Sequence, residues 1–337
     1  RMQSQTQYKG KGCSPWRKGP ARFLQLVKTL QIPRRASLLG NESLEDLLRK
    51  GSVSMMSKDF SIGDTIGHGS QGRVFTARYS RTGQIVAVKE ILLGRSDSEL
   101  ERIQREISLS EQLRHSRIVH YLGHEFVTSS VLNHSARLFL FLEYCSGGSV
   151  ASHLQRYGPF GQSLLVKYVR HLVEGVAFLH SRTPPVVHRD LKCANLLFTH
   201  DSDLKIGDFG SCKWLLDEVQ GGNDTLRGTV LWMAPELLPS VRRDGNTNSP
   251  LTSLSDVWSV GCCVLEMATA RTPWHERRFD NMFEACHAIA QPEALPTLPE
   301  NLPADGTRFL SNCLVRDPKR RPTAQQLLSY SFLASRR

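Results

Sequence analysis

His188-Arg189-Asp190-Leu191-Lys192-Cys193-Ala194-Asn195, with Asp208-Phe209-Gly210 soon after, gathers a base, a cation and two oxygen ligands into one short span. Asp190 can accept, or orient, a hydroxyl proton, and Lys192 can neutralise charge on a group in transfer. Asn195 and Asp208 offer the hard oxygens that Mg²⁺ prefers over imidazole or thiolate. The set suits transfer of a phosphoryl group to a hydroxyl, where positioning and electrostatics do nearly all of the catalysis. Turn-capping uses the same residue types, but it does not call for all of them in this order.

Upstream lies Gly67-His68-Gly69-Ser70-Gln71-Gly72. Dinucleotide-binding loops share this glycine spacing, yet such a loop must open a helix. Here Arg73-Val74-Phe75-Thr76-Ala77 favours a strand. The Gly-Lys-Ser/Thr ending of a P-loop is missing. A hairpin at this point could close over phosphates, its glycines allowing close backbone approach; an ordinary glycine-rich turn is the alternative. Val86-Ala87-Val88-Lys89 follows, with neighbours that alternate for burial. Glu106 shares a helical face with Ile103 and Leu113. A carboxylate on such a core-facing stripe needs a cation, and Lys89 is the candidate. The pair would aim the ammonium at the α and β phosphates of a nucleotide. A solvated helix charge is the other reading of Glu106.

The surrounding pattern supplies elements to hold these groups. Phe60 to Ile66, Arg73 to Tyr79, Ile85 to Ile91 and Leu138 to Tyr144 read as strands, and Leu100 to Arg114 as a helix. Glu143-Tyr144-Cys145-Ser146-Gly147-Gly148 breaks the run as a hinge. Helices follow at Ser149–Tyr157, Ser163–Ser181, Ser255–Ala270, Asp280–Ala290, Ala304–Val315 and Thr323–Ser329. The expected fold class is α+β and bilobal. A small β-rich lobe (58–144) joins through a hinge (143–148) to a larger helical lobe (149–334).

The bulk numbers narrow the function classes. With 337 residues, 40% apolar and 22% charged, the chain reads as a globular enzyme with core enough for two lobes. No apolar run approaches a membrane span, and no secretory signal opens the chain. Arg1 in place of Met reads as a fragment boundary. Eight cysteines without paired ligand spacing suggest reduced thiols and a cytoplasmic setting. Residues 1–57 carry eleven Lys and Arg against three acids, whereas the remainder carries 32 against 29. The basic excess belongs to the leader, so DNA binding by the body is not implied.

From about residue 58 to 334 the chain resembles the eukaryotic protein kinase family. The motifs above carry the likeness, together with Ala234-Pro235-Glu236, Asp256-Val257-Trp258-Ser259-Val260-Gly261 and Arg320-Arg321-Pro322-Thr323. The resemblance implies ATP as phosphoryl donor and Mg²⁺, or Mn²⁺, as metal. It pairs Glu236 with Arg321 as a structural contact. It makes Leu142 the gatekeeper, lets Glu143 and Cys145 offer hinge backbone groups to adenine, and sandwiches the ring between Val74, Ala87 and Leu197. Ile66 and the glycine-rich segment Gly67, His68, Gly69, Ser70, Gln71 and Gly72 complete the nucleotide site. Asp190-Leu191-Lys192 and Gly228-Thr229 resemble the serine/threonine kinases, in which that threonine contacts the catalytic aspartate. Arg189 before Asp190 implies control by activation-segment phosphorylation, with Thr225 as phosphosite, set by an upstream kinase or by autophosphorylation. A plain loop threonine is the alternative at Thr225.

Within the family, Glu143-Tyr144-Cys145-Ser146-Gly147-Gly148-Ser149-Val150, Ile118-Val119-His120-Tyr121-Leu122-Gly123 and Leu231-Trp232-Met233-Ala234-Pro235-Glu236 look like the STE group, most like its MAP kinase kinase kinases. Ste20-like kinases share several of these words. The expected protein substrate is a downstream kinase; a pseudokinase scaffold is the rival reading. Asp256 lies twenty residues after Glu236, farther than usual, so Leu237 to Ser255 reads as an insertion beside the substrate platform. In the leader, Arg34-Arg35-Ala36-Ser37 resembles a basophilic kinase target at Ser37. Arg17-Lys18 with Leu24-Gln25-Leu26 resembles a docking peptide for a partner kinase. A solubilising basic arm is the leading reading of both, and acidic lipid or RNA is a further candidate partner.

Overall fold

A sheet packed on both faces builds the small lobe. In the computed structural model, which describes residues 59–69, 72–93, 103, 107–128, 136–209, 213–214, 230–238 and 253–334, β1 (Phe60–Gly69), β2 (Gly72–Tyr79), β3 (Ile85–Leu93), β4 (Tyr121–Thr128) and β5 (Ala136–Glu143) form an antiparallel sheet in the order β1-β2-β3-β5-β4. Gly69 pairs with Gly72, so the glycine-rich segment is the end of a hairpin and does not open a helix. One face of the sheet packs Phe60, Phe75, Tyr79, Val88, Phe139 and Phe141. The other packs Ile91, Leu138 and Leu140 against Ile103, Ile107 and Tyr121. This period-two division is what sends Val88 to one side and Lys89 to the other.

β4 is absent from the sequence reading. Its residues, Tyr121-Leu122-Gly123-His124-Glu125-Phe126-Val127-Thr128, interrupt apolar alternation with a glycine and two polar residues. A register shift between Tyr121 and Gly123 in its pairing with β5 explains why strict alternation fails there.

The large lobe is helical, as expected: α1 (Val150–Tyr157), α2 (Gln162–His180), α3 (Leu254–Thr269), α4 (Met282–Ala290), α5 (Ala304–Cys313) and α6 (Ala324–Leu327). Between α2 and α3 come the short strands β6 (Val186–Val187), β7 (Leu196–Phe198), β8 (Leu204–Ile206) and β9 (Lys213–Trp214). Every residue of α3 from Ser255 to Ala268 is buried, which marks it as the central post of this lobe. Three helices differ from expectation by two residues at an end, α6 by stopping at Leu327 rather than Ser329. α4 begins at Met282 rather than Asp280 because the Asn281 side chain accepts the Glu284 N–H and caps it. α5 stops at Cys313 rather than Val315, and the chain turns into a 3₁₀ segment, Pro318–Arg320, capped by Asp317.

The expectations placed on Ser37 and the rest of 1–57, on Ser70, Gln71, Glu106, Thr225 and Thr229, and on most of the 237–255 insertion lie outside the described residues.

Candidate active site

Two groups of side chains meet in the cleft between the lobes. In the first, the Asp190 carboxylate receives Lys192 Nζ at 3.1 and 3.0 Å and Asn195 Nδ2 at 2.9 Å. A 3₁₀ turn, Cys193–Asn195, folds Asn195 back so that Nδ2 also reaches the Asp190 carbonyl at 2.8 Å. In the second, Lys89 Nζ, at the cleft side of β3, lies 2.9 Å from Asp208 Oδ1. The ammonium is mostly covered and the carboxylate is half exposed, 15% against 48%. Lys89 is held in register between Val74 on β2 and Leu140 on β5.

Backbone bonds lace the groups together. The Gly207 N–H donates to the Asn195 carbonyl at 2.9 Å, within the β7–β8 pairing of Leu196 with Ile206. His188, fully buried, accepts the Asp190 N–H at Nδ1 and so donates from Nε2 to the Gly207 carbonyl at 3.0 Å. Its ring stands edge-on to Phe209, with centroids 5.4 Å apart. Asp190, Asn195 and Asp208 are therefore parts of one hydrogen-bonded frame.

Asp256 anchors that frame from below, a role the sequence reading did not give it. It is buried in α3 and accepts the N–H of His188 at 2.8 Å and of Arg189 at 2.9 Å, with His180 Nε2 at 2.9 Å. Burial pushes its carboxyl up. The hydrogen bond and charge of His180, with the Arg189 N–H, outweigh burial and hold it below the usual carboxylate range. Arg189 adopts φ 70° and Asp208 φ 54°, left-handed conformations that non-glycine residues adopt only under constraint. The signal that could have found Asp256 is an acid inside the apolar run Leu254–Thr269, since a buried carboxylate must be paired. By the same logic Glu266, buried in that helix, accepts from Trp232 Nε1 at 2.9 Å.

The residues expected around adenine lie on β1, β2, β3, β5 and β7. Ala87 pairs with Thr76 on one side and Leu142 on the other, and Val74 pairs with Lys89. Leu197 sits on β7 opposite Lys205. Ile66 is half exposed at the end of β1, next to Gly67. Behind Leu142 a cavity of about 30 Å³, walled partly by Lys89, Tyr121, Asp208 and Phe209, has room for little more than one water. In the hinge, the Glu143 carboxylate accepts from the His120 N–H at 3.0 Å and Lys205 at 2.7 Å, so it is engaged by both lobes. Burial, then the charge of Glu143, pushes the Cys145 thiol up to about 12. This thiol stays neutral, and the hinge presents backbone rather than side-chain chemistry.

Glu236 and Arg321 meet as a bidentate pair at 2.6 and 2.7 Å. The guanidinium also donates to the carbonyls of Val315, Leu254 and Arg316, so all five of its N–H groups are satisfied. Its side chain is fully buried and stacks 5.3 Å over Trp258. Arg321→Lys offers three donors where five are used and leaves at least two of the five acceptor oxygens without partners. A loss of about 3–5 kcal/mol is expected, read as a fall in denaturant midpoint at unchanged m-value. A midpoint within error of wild type would refute it.

Comparison with known proteins gives one consistent picture. A family described as "Protein kinase domain" matches residues 60–333. The chain is 36% identical over 275 residues to the mitogen-activated protein kinase kinase kinase YODA of Arabidopsis thaliana, a match covering 80% of this chain and 29% of that one. It is 33% identical over 303 residues to mitogen-activated protein kinase kinase kinase A of Dictyostelium discoideum, covering 88% and 29%. It is 35% identical over 281 residues to the serine/threonine-protein kinase BCK1/SLK1/SSP31 of Saccharomyces cerevisiae, covering 80% and 18%. The chain thus spans less than a third of the length of each of these three relatives.

Proposed function

The chain belongs to the protein kinase family, and from that premise we propose that it is a serine/threonine kinase acting on another kinase, a MAP kinase kinase, within a signalling cascade. The observation that carries the chemistry is the frame joining Asp190, Lys192 and Asn195 to Asp208 and Lys89. The names of the relatives support the cascade position.

The donor set suits ATP with a divalent metal, for which Mg²⁺ is our choice. Asn195 commits its amide nitrogen to Asp190, which leaves its amide oxygen and the Asp208 carboxylate as hard ligands. A bound divalent ion supplies charge neutralisation on the phosphates. Asp190 orients the acceptor hydroxyl and takes its proton, and Lys192, already on that carboxylate, offsets charge on the group in transfer. Lys89 orients the nucleotide phosphates. Val74, Ala87 and Leu197 exclude water around adenine, and the Glu143–Cys145 backbone sets the base. Arg189 serves activation control, for which Thr225 is the phosphosite, and Thr229 takes the place of the threonine that contacts the catalytic aspartate in serine/threonine kinases.

Among the described residues no helix is long and apolar enough to cross a membrane. The six described cysteines are free and buried, which supports a reducing, cytoplasmic setting. The basic leader serves as a solubilising or docking arm.

Radiolabelled ATP, the purified chain and a MAP kinase kinase test the reading. Wild type is expected to label the acceptor on serine or threonine, and Asp190→Asn to lose on the order of 10²–10⁴ in rate. No incorporation by wild type, or equal rates for the two, would overturn it.

A further inference from the structure

Among the described residues of the five-stranded sheet, Glu90 is the only buried charged one. It follows Lys89 and takes the opposite face of β3, in a row with Val86 and Val88 beside Phe139, its register partner. An acid among aromatic rings needs cations, and two reach it. Arg73 Nε contacts Oε2, and Arg137 Nη1 lies 2.8 Å from Oε1. The two arginines differ in where they come from. Arg137 stands on β5. Arg73 is the first residue beyond Gly72, where the chain leaves the glycine-rich hairpin, and its guanidinium lies 5.1 Å over Phe75.

A second contact fixes the same point independently. Gly72 has φ 154°, and a Cβ there would collide with the backbone carbonyl oxygen of Glu90. The hairpin stem thus rests on the Glu90 backbone and is held by its side chain. One residue earlier, Lys89 faces the cleft.

Stability alone is a poor reason for this arrangement, because a buried acid paired with cations often does no better than apolar packing of the same volume. We propose that Arg73–Glu90–Arg137 is a positioning clamp that sets the glycine-rich hairpin at a fixed height over Lys89, and thereby sets affinity for the nucleotide triphosphate. Arg73 carries the positioning and Arg137 completes the pairing of Glu90. The proposal rests on the kinase reading above. It adds residues that touch neither nucleotide nor acceptor.

The test separates the two arginines. Arg73→Gln, half exposed and leaving no cavity, is expected to raise KM for ATP by about five- to tenfold with kcat within about twofold. Binding of a fluorescent ATP analogue should weaken by the same factor. Glu90→Gln should follow Arg73→Gln, Arg73→Lys should restore most of the affinity, and Arg137→Gln should lower Tm while leaving KM within about twofold. Unchanged KM and analogue binding in Arg73→Gln, or an equal rise in Arg137→Gln, would overturn the clamp. A wild type that neither binds the analogue nor turns over ATP would sink the kinase reading itself.

Discussion

Asp208→Asn and Lys89→Met are each expected to lower phosphate transfer to a generic acceptor, such as myelin basic protein, by on the order of 10²–10³, about 3–4 kcal/mol of lost electrostatic stabilisation. The substitutions are informative because they spare shape. Asp208 sits at φ 54°, and asparagine tolerates that left-handed region as well as aspartate does. Methionine keeps the length of the lysine stem on β3, where residue 89 is in register with Val74 and Leu140. Tm should therefore move little while the rate collapses, which separates loss of chemistry from loss of fold. Because the two groups are in contact at 2.9 Å, their effects should be non-additive, with the double variant barely slower than either single one. Turnover near that of wild type in either variant would remove Lys89 or Asp208 from the machinery.

The parts of this site differ in how far they could be read from the chain. Asp190, Lys192 and Asn195 lie within six residues, and a tight turn brings them together. Residue type and spacing suffice for such a cluster. Lys89 and Asp208 are 119 residues apart. Each was picked out by its motif, but their contact depends on strand register and on the fit of one lobe to the other, which local pattern does not encode. The partner expected for Lys89, Glu106, lies outside the described residues. The two-lobed α+β plan was legible because β2 approaches a period of two and apolar runs of helical length follow the hinge. β4 was not, because its register shift scrambles the alternation. The buried acids were missed for a common reason. Asp256, Glu266 and Glu90 have partners 34 to 76 residues away, or across a strand, and spacing rules see none of these. What the chain does show is each acid's setting inside an apolar run, and that alone is a demand for a partner.

Asp256 makes the demand quantitative. Asp256→Asn keeps the volume but replaces one acceptor oxygen with a donor nitrogen facing the N–H groups of His188 and Arg189 and the ring of His180. At least one buried donor is then left opposite a donor, and a charge-assisted bond becomes a neutral one. A loss on the order of 2–5 kcal/mol is expected, seen as a Tm lower by about 5–15 °C. Activity should fall further than stability, because the φ 70° backbone of Arg189 is held by Asp256 Oδ1 and positions Asp190. A folded, cool sample of the variant should still be slow. The acid limb of stability offers an independent check. The Asp256 carboxyl is held below its usual range, so its contribution is fully present above the unfolded value, about 3.9. That contribution is lost as pH falls from there through the folded value. Wild-type Tm should therefore drop below about pH 4, and Asp256→Asn should show a shallower drop over that range. Parallel Tm–pH curves, or a variant as active as wild type at low temperature, would mean that α3 does not hold the catalytic loop through this carboxylate.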